Sequence, residues 1–202
     1  MRFPVRITLS LIVAFAFTSV CESATIQRFS FVELSREAGL IVQASVEAGS
    51  KRVEMRDQIP WTCITLRVTK NFKGGSGPSL ELCFLGGVVG TRASSVVGQR
   101  LPAEGKEGFF FVSESKKNYI NPLIGWSQGI FYITTDSAGR QIITTATGAI
   151  VSSINLAPLQ TDGVVQEAAR GVVAAPQTAG AAQPMTPSMF IDILHKALIA
   201  PQ

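Results

Sequence analysis

Apolar and polar residues alternate along much of this chain, which is the period of a β-strand with one buried face. The alternation is clearest on either side of a turn at residues 73–78. Its apolar members are Ile64, Leu66 and Val68 before the turn, and Leu80, Leu82 and Phe84 after it. These two runs predict an antiparallel hairpin.

The remaining apolar runs extend this pattern into a β-rich body. A continuous apolar run at residues 108–112 predicts a buried central strand. The other runs occupy residues 40–46, 119–126, 129–135, 141–145 and 148–154. About seven or eight short strands with turn signals between them are typical of a barrel or sandwich. We therefore expect a mainly β fold, a small closed or partly open antiparallel barrel of the OB type.

Two helices are predicted at the ends of this body. Ser30 and Glu33 form a capping box, which predicts a helix from Phe31 to Ala38. Near the C-terminus, residues 187–200 carry Pro in the first turn and one apolar stripe, which predicts an amphipathic helix. We expect the stripe to pack on the protein's own core. The alternative is that Phe190 and Leu194 dock on a partner.

The N-terminus has the pattern of a secretory signal peptide. A basic start is followed by an apolar run to Val20, which is shorter than the ~20 apolar residues of a membrane span. We expect cleavage before Ala24, so that residues 1–23 are removed; a lipoprotein anchor at Cys21 is the alternative. The mature protein is then exported, periplasmic or secreted, with no stable membrane span.

Composition divides the rest of the chain into three parts. Residues 24–155 form the predicted β-barrel domain. Residues 156–186 are rich in Ala, Gln, Pro, Val and Gly, with few charges, and predict a linker. Residues 187–200 form the C-terminal helix.

Charge and residue usage exclude several function classes. The chain has 202 residues, a formal net charge of +4 and a single histidine near its C-terminus. Catalytic triads and metal sites built on histidine are therefore not expected. The basic residues are scattered, so no nucleic-acid footprint is predicted. We predict no metal, no cofactor and a monomer.

Three groups of residues are candidates for chemistry. Gly86, Gly87 and Gly90 form a cluster that suits an anion or, alternatively, a bulge or barrel corner. Trp126 and Gln128 at a strand junction suit a sugar or peptide contact; the alternative is a Trp that caps the core. A third group, Glu104 and Glu107, flanks a turn, and paired carboxylates are the groups that hydrolyse glycosides.

The cysteines of the predicted hairpin are expected to be free thiols. Matching the alternating faces across the turn places Leu66 opposite Phe84 and Val68 opposite Leu82. In that register Cys83 faces Arg67, and four residues at about 3.3 Å each separate it by roughly 13 Å from Cys63. A disulfide tolerates only about 7 Å between Cα atoms. Two cysteines in an exported protein would ordinarily pair, but this register predicts that they do not.

An ordered set of motifs resembles a group of short, uncharacterised bacterial exported proteins. They are an early helix and strand over 31–46, Phe72-Lys73-Gly74, Gly86-Gly87, Val97-Gly98, Leu101-Pro102, Gly105-Lys106-Glu107, and residues 125–131. The resemblance implies a small β-barrel fold and supplies no site residue. A weaker likeness is to netrin-like, OB-type barrels.

These observations favour an exported, non-catalytic binding or accessory protein. The expected ligand is a protein or a glycan at the cell surface. One alternative is a hydrolase that uses carboxylates and no histidine. The other is an assembly or processing factor that docks through its C-terminal helix.

Overall fold

The structure is a computed structural model that describes residues 27–113, 119–157, 168–174 and 183–200. It confirms a mainly β fold with one helix near each end of the described chain. The helices are α1 (Phe31–Glu37) and α2 (Pro187–Ile199). The strands are β1 (Leu40–Val46), β2 (Arg52–Arg56), β3 (Ile59–Lys73), β4 (Ser79–Leu85), β5 (Gly87–Val89), β6 (Arg92–Ser94), β7 (Glu107–Val112), β8 (Ile130–Thr135), β9 (Gln141–Thr145), β10 (Val151–Ile154) and β11 (Val172–Ala174).

Seven of these strands form one antiparallel sheet in the order β2-β3-β1-β7-β8-β9, with β4 also paired to β3. Hairpins β5-β6 and β10-β11 form two small separate sheets. Within the described residues the main sheet does not close into a complete barrel, so the partly open form of the predicted fold is the one observed. Residues 119–126, predicted as a strand, instead form one isolated bridge, from Leu123 to Val112, and the start of a 3-10 turn.

The long strand β3 organises one half of the sheet. Its first half pairs with β2 and with β4, through residues 59–63 and 61–67 respectively. Its second half pairs with β1 as far as Lys73, with register shifts between Ile41 and Val42 and between Gln43 and Ala44. One fifteen-residue strand is thus shared among three partners, because no single neighbour is long enough to pair with all of it.

Each face of the sheet carries a hydrophobic core of its own. Val42, Leu66, Phe84 and Phe110 belong to an inner cluster, although β4 and β7 are separated by β3 and β1. Strands so far apart can share a core only if the sheet curls, and we therefore describe this cluster as the inner core. Because neighbouring residues of β7 face opposite sides, the central apolar run is buried in full.

Helices α1 and α2 cover the outer core, which lies on the opposite face. Phe190 of α2 has its ring centroid 4.5 Å from that of Phe109, 5.0 Å from that of Phe131 and 5.5 Å from that of Phe31. Leu194 is also fully buried in this core. The apolar stripe of α2 therefore packs on the protein's own core, as expected, and the partner-docking alternative for Phe190 and Leu194 is wrong.

Part of the segment predicted as a linker, residues 156–186, belongs to the folded body. Strand β11 pairs with β10, and Ala168 and Ala169 are buried in the outer core. The backbone N–H of Met185 donates to Val151, and its carbonyl accepts from the N–H of Ile143. The linker prediction is corrected for these residues, because backbone pairing and small apolar side chains hold them against the sheet.

Other boundaries of the sequence prediction fall outside the described residues. The expected signal peptide, residues 1–23, lies there together with Cys21. In the described parts of the chain no helix is long and apolar enough to cross a membrane.

Truncating Phe190 should remove most of the attachment of α2. We expect Phe190→Ala to lower the free energy of unfolding by about 3–5 kcal/mol, as for other large aromatic side chains in a core. Met189 on the same helix is 45% exposed, and Met189→Ala should change stability by less than about 0.5 kcal/mol. Urea denaturation of both variants measures the difference. Equal effects would contradict the packing of α2 on the sheet.

Candidate functional site

The two helices leave one part of the sheet uncovered, the outward side of β2, β3 and β4, which we call the open face. Inward residues of β3 and β4, such as Ile64 and Phe84, are buried, and the residues that alternate with them point outward. The open face consists of Arg52, Glu54, Arg56, Ile59, Trp61, Cys63, Thr65, Arg67, Ser79, Glu81, Cys83 and Leu85.

An ion-pair network runs across the open face from β2 to β4. Arg52 pairs with Glu81 and with Glu54, the latter at 3.2 Å, and Arg56 pairs with Glu54 at 2.6 Å. The hydrogen bond from Arg56 is the main cause that lowers the pKa of the Glu54 carboxyl. All four side chains are partly exposed, so the network fixes geometry more than it adds stability.

A disulfide lies in the middle of this network. The Cα atoms of Cys63 and Cys83 are 4.0 Å apart, directly opposite in the register of β3 and β4, and their sulfurs are bonded. The prediction of two free thiols is therefore wrong.

The error came from the hairpin register. The structure pairs Leu66 with Leu80 rather than with Phe84, a slip of four residues from the predicted register. Pairing between β3 and β4 stops at Arg67 and Ser79, although β3 continues beyond that point with its other edge paired to β1. The connection is therefore longer than the predicted six-residue turn at 73–78.

Arg56 occupies the centre of the open face. Its Nη2 atom donates to Cys83 Sγ at 3.0 Å and approaches Cys63 Sγ at 3.5 Å. Its guanidinium carbon is also 5.5 Å from the centre of the Trp61 ring, a cation–π distance. The guanidinium thereby joins an aromatic ring, a disulfide and a carboxylate in one cluster.

Beside the cluster the open face is apolar and borders a cleft of about 490 Å³. Ile59 is 43% exposed, and Leu85 lies opposite Trp61. The cleft extends from Ile59 and Leu85 to strand β6, where Arg92 donates to the carbonyl of Gln58 at 3.2 Å. An apolar centre with a charged rim is the usual anatomy of a protein interface.

The cysteines do not offer a metal site in this state. Donor atoms of Glu54, Cys63 and Cys83 lie within 4.8 Å of one another. Metal ions are bound by thiolates, whereas both sulfurs here are in a disulfide. Arg56 adds a positive charge at the same place, which opposes a cation.

The glycines predicted as an anion site lie beside the cleft and have a packing role. A Cβ on Gly87 would lie 2.6 Å from Val53 Cγ1, and the hydroxyl of Thr62 donates to the carbonyl of Gly86 at 2.7 Å. These contacts let hairpin β5-β6 fold closely onto β2 and β3. Of the two roles considered for these glycines, this is the packing role at a corner of the sheet, not anion binding. Gly90 is exposed in the hairpin turn.

The other predicted binding residues are not brought to the open face. Gln128 is buried; its amide accepts from the N–H of Phe29 and donates to the carbonyl of Gln27, both at 3.0 Å. It therefore holds the start of the described chain and has no free amide group for a ligand. Trp126 is half-buried at the first position of the 3-10 turn.

The two carboxylates considered for hydrolysis have separate partners. Glu107 accepts from the side chain of Gln43 at 2.8 Å, and Glu104 accepts from the backbone N–H of Gly49 at 3.3 Å.

Sequence reasoning missed Arg56 and the disulfide as the centre of a site. The polar and charged composition of residues 49–58 favours a loop or the exposed end of a hairpin rather than a site. The signal was the alternation of Arg52, Glu54 and Arg56 with Val53 and Met55, the period of a half-exposed strand.

Comparisons of this chain with protein-family models, with curated proteins and with solved structures each find no match.

The disulfide should be detectable by mass and by stability. Alkylating the denatured, unreduced chain should label neither Cys63 nor Cys83, and prior reduction should add two labels. Because the bond closes a loop over a sequence separation of 20 residues, replacing both cysteines with Ser should lower the free energy of unfolding by about 3 kcal/mol. Two labels without reduction would show that both thiols are free and would contradict the disulfide.

Proposed function

We propose that this protein is an exported, non-catalytic binding protein and that the open face is its ligand surface. The observation that carries the proposal is the partly exposed cluster of Trp61 and Arg56 beside Ile59 and the cleft. Trp and Arg are the residue types most enriched among the energetically dominant residues of protein interfaces. Burial on the rest of the sheet leaves this as the place where a partner would gain most by contact.

The charge of the open face favours an acidic protein segment as the ligand. Arg52, Arg56 and Arg67 outnumber Glu54 and Glu81, and the neighbouring Arg92 adds a further positive charge. Arg67 is exposed. An apolar side chain of the ligand would fit between Ile59 and Leu85, with acidic groups near the arginines. Such electrostatic complementarity raises the rate of association and excludes basic partners.

Export and the absence of catalysis are parts of the same proposal. The apolar N-terminal run of the sequence supports export, as does the resemblance to exported bacterial proteins. The separate partners of Glu104 and Glu107, the backbone of Gly49 and the side chain of Gln43, support a binding role over hydrolysis by this carboxylate pair.

Site-specific photo-crosslinking in the producing cell tests the open face. A photoreactive residue in place of Ile59 should give a discrete crosslinked protein, whereas one in place of Ile199, which is 81% exposed on α2, should not. Once the partner is known, Trp61→Ala should weaken binding roughly 30-fold, the effect of losing about 2 kcal/mol. Arg67→Glu should weaken it further at low salt.

Two outcomes would contradict the proposal. The same crosslinked products from positions 59 and 199 would show that contact is unspecific. Binding of a carbohydrate, rather than a protein, that is lost in Trp61→Ala would keep the open face as the site and replace the partner class.

A further inference from the structure

The Cys63–Cys83 disulfide has a neighbour that its structural role does not require. Strands β3 and β4 are already joined over seven residue pairs, yet Arg56 lies on the bond, with Nη2 3.0 Å from Cys83 Sγ and 3.5 Å from Cys63 Sγ. A disulfide is uncharged and gains little from this contact. A thiolate gains much, because a nearby arginine lowers the pKa of a thiol.

The two sulfurs also differ in exposure, which gives exchange a direction. Cys63 is fully buried, whereas Cys83 is partly exposed on the edge strand β4. An incoming thiolate would therefore attack Cys83 Sγ, and Cys63 would be the leaving group. The leaving thiolate would form within hydrogen-bonding distance of the Arg56 guanidinium.

We propose that Cys63–Cys83 is a thiol–disulfide exchange site that accepts two electrons from a dithiol protein. A thiolate of the reductant forms a bond to Cys83 Sγ while the bond between Cys83 and Cys63 breaks, and Cys63 leaves as a thiolate and takes up a proton. The second thiol of the reductant then loses its proton, and its thiolate attacks the reductant's first sulfur, which is bonded to Cys83 in the mixed disulfide. Cys83 leaves as a thiolate and is protonated, so the protein ends with two thiols and the reductant with one disulfide.

Two charged side chains near the disulfide should change the rate of exchange in opposite directions. Glu81 Oε1 lies 3.5 Å from Cys83 Sγ, and a disulfide has no S–H to donate to it. This carboxylate repels an approaching thiolate, although its pairing with Arg52 reduces the repulsion. Arg56 favours the developing charge and Glu81 opposes it. The exchange site at Cys63–Cys83 does not require the acidic protein partner proposed above.

The experiment follows reduction of the folded, full-length chain by excess dithiothreitol, a small dithiol, with rapid alkylation and mass measurement. Cys21, where the chain retains it, adds one constant label. We expect Arg56→Gln to slow reduction roughly tenfold, because the leaving thiolate loses its stabilising charge. Arg56→Lys should recover part of the rate, and Glu81→Gln should increase it about threefold. The matched control is Arg140→Gln, outside the open face, where the arginine pairs with Asp136; it should leave the rate unchanged.

Two results would overturn the proposal. One is a reduction rate that equals the rate of global unfolding, measured by circular dichroism at the same urea concentrations. The bond would then be reduced only in the unfolded protein, and its role would be structural. The other is an equal rate in wild type and Arg56→Gln.

A second measurement tests the proposal without using reduction kinetics. In Cys63→Ala, the pH dependence of alkylation gives the pKa of the remaining Cys83 thiol. We expect it below the ordinary value of about 8.5 and closer to that value when Arg56→Gln is added. A pKa at or above about 8.5 in Cys63→Ala would also overturn the proposal.

Discussion

The insertion of Phe190 among the rings of Phe31, Phe109 and Phe131 is the contact on which the arrangement of the sheet depends. It brings the last helix over the outward side of β7 and β8, so that a run of three phenylalanines can be buried whichever face each one points to. Aromatic rings in edge-to-face and tilted contacts contribute beyond the area they bury. The helical layer reaches the end of β3 at Phe72 and Lys73 but not its first half or β2 and β4, and this boundary is what creates the open face.

Local signals in the sequence were sufficient for the elements but not for how they pair. The capping box at Ser30 and the stripe of α2 depend on residues a few positions apart, and both form as expected. The register of the β3-β4 hairpin depends on where the two strands separate, and β3 continues past that point with its other edge paired to β1. A slip of four residues keeps every side chain on its face, so alternation alone could not distinguish Leu80 from Phe84 as the partner of Leu66. The wrong register is also why the disulfide was missed.

The segment predicted as a linker shows that composition alone can miss residues that pack on the core. Ala, Val and Gly in residues 168–174 give no periodic pattern, yet small side chains are the ones that pack closely beneath α1 and against β10. A Cβ on Gly171 would lie 2.3 Å from the carbonyl oxygen of Asn155, so the chain can approach there only because that position is glycine. The low-complexity composition therefore predicted a flexible linker, whereas the structure has a closely packed segment there.

The open face places a reducible bond and a protein-binding surface in the same few side chains, and this has a thermodynamic consequence. Arg56 contacts Trp61, Glu54 and both sulfurs, so a partner that covers Trp61 also removes water from around the guanidinium. Charge interactions strengthen as water is excluded, and a thiolate at Cys63 or Cys83 would then be held more tightly than in the free protein. Acidic groups of the partner act in the other direction, because they compete for the same guanidinium. Coupling between two equilibria is reciprocal: whichever effect is larger, the state of the disulfide must change the affinity for the partner by the same factor by which the partner changes the reduction equilibrium.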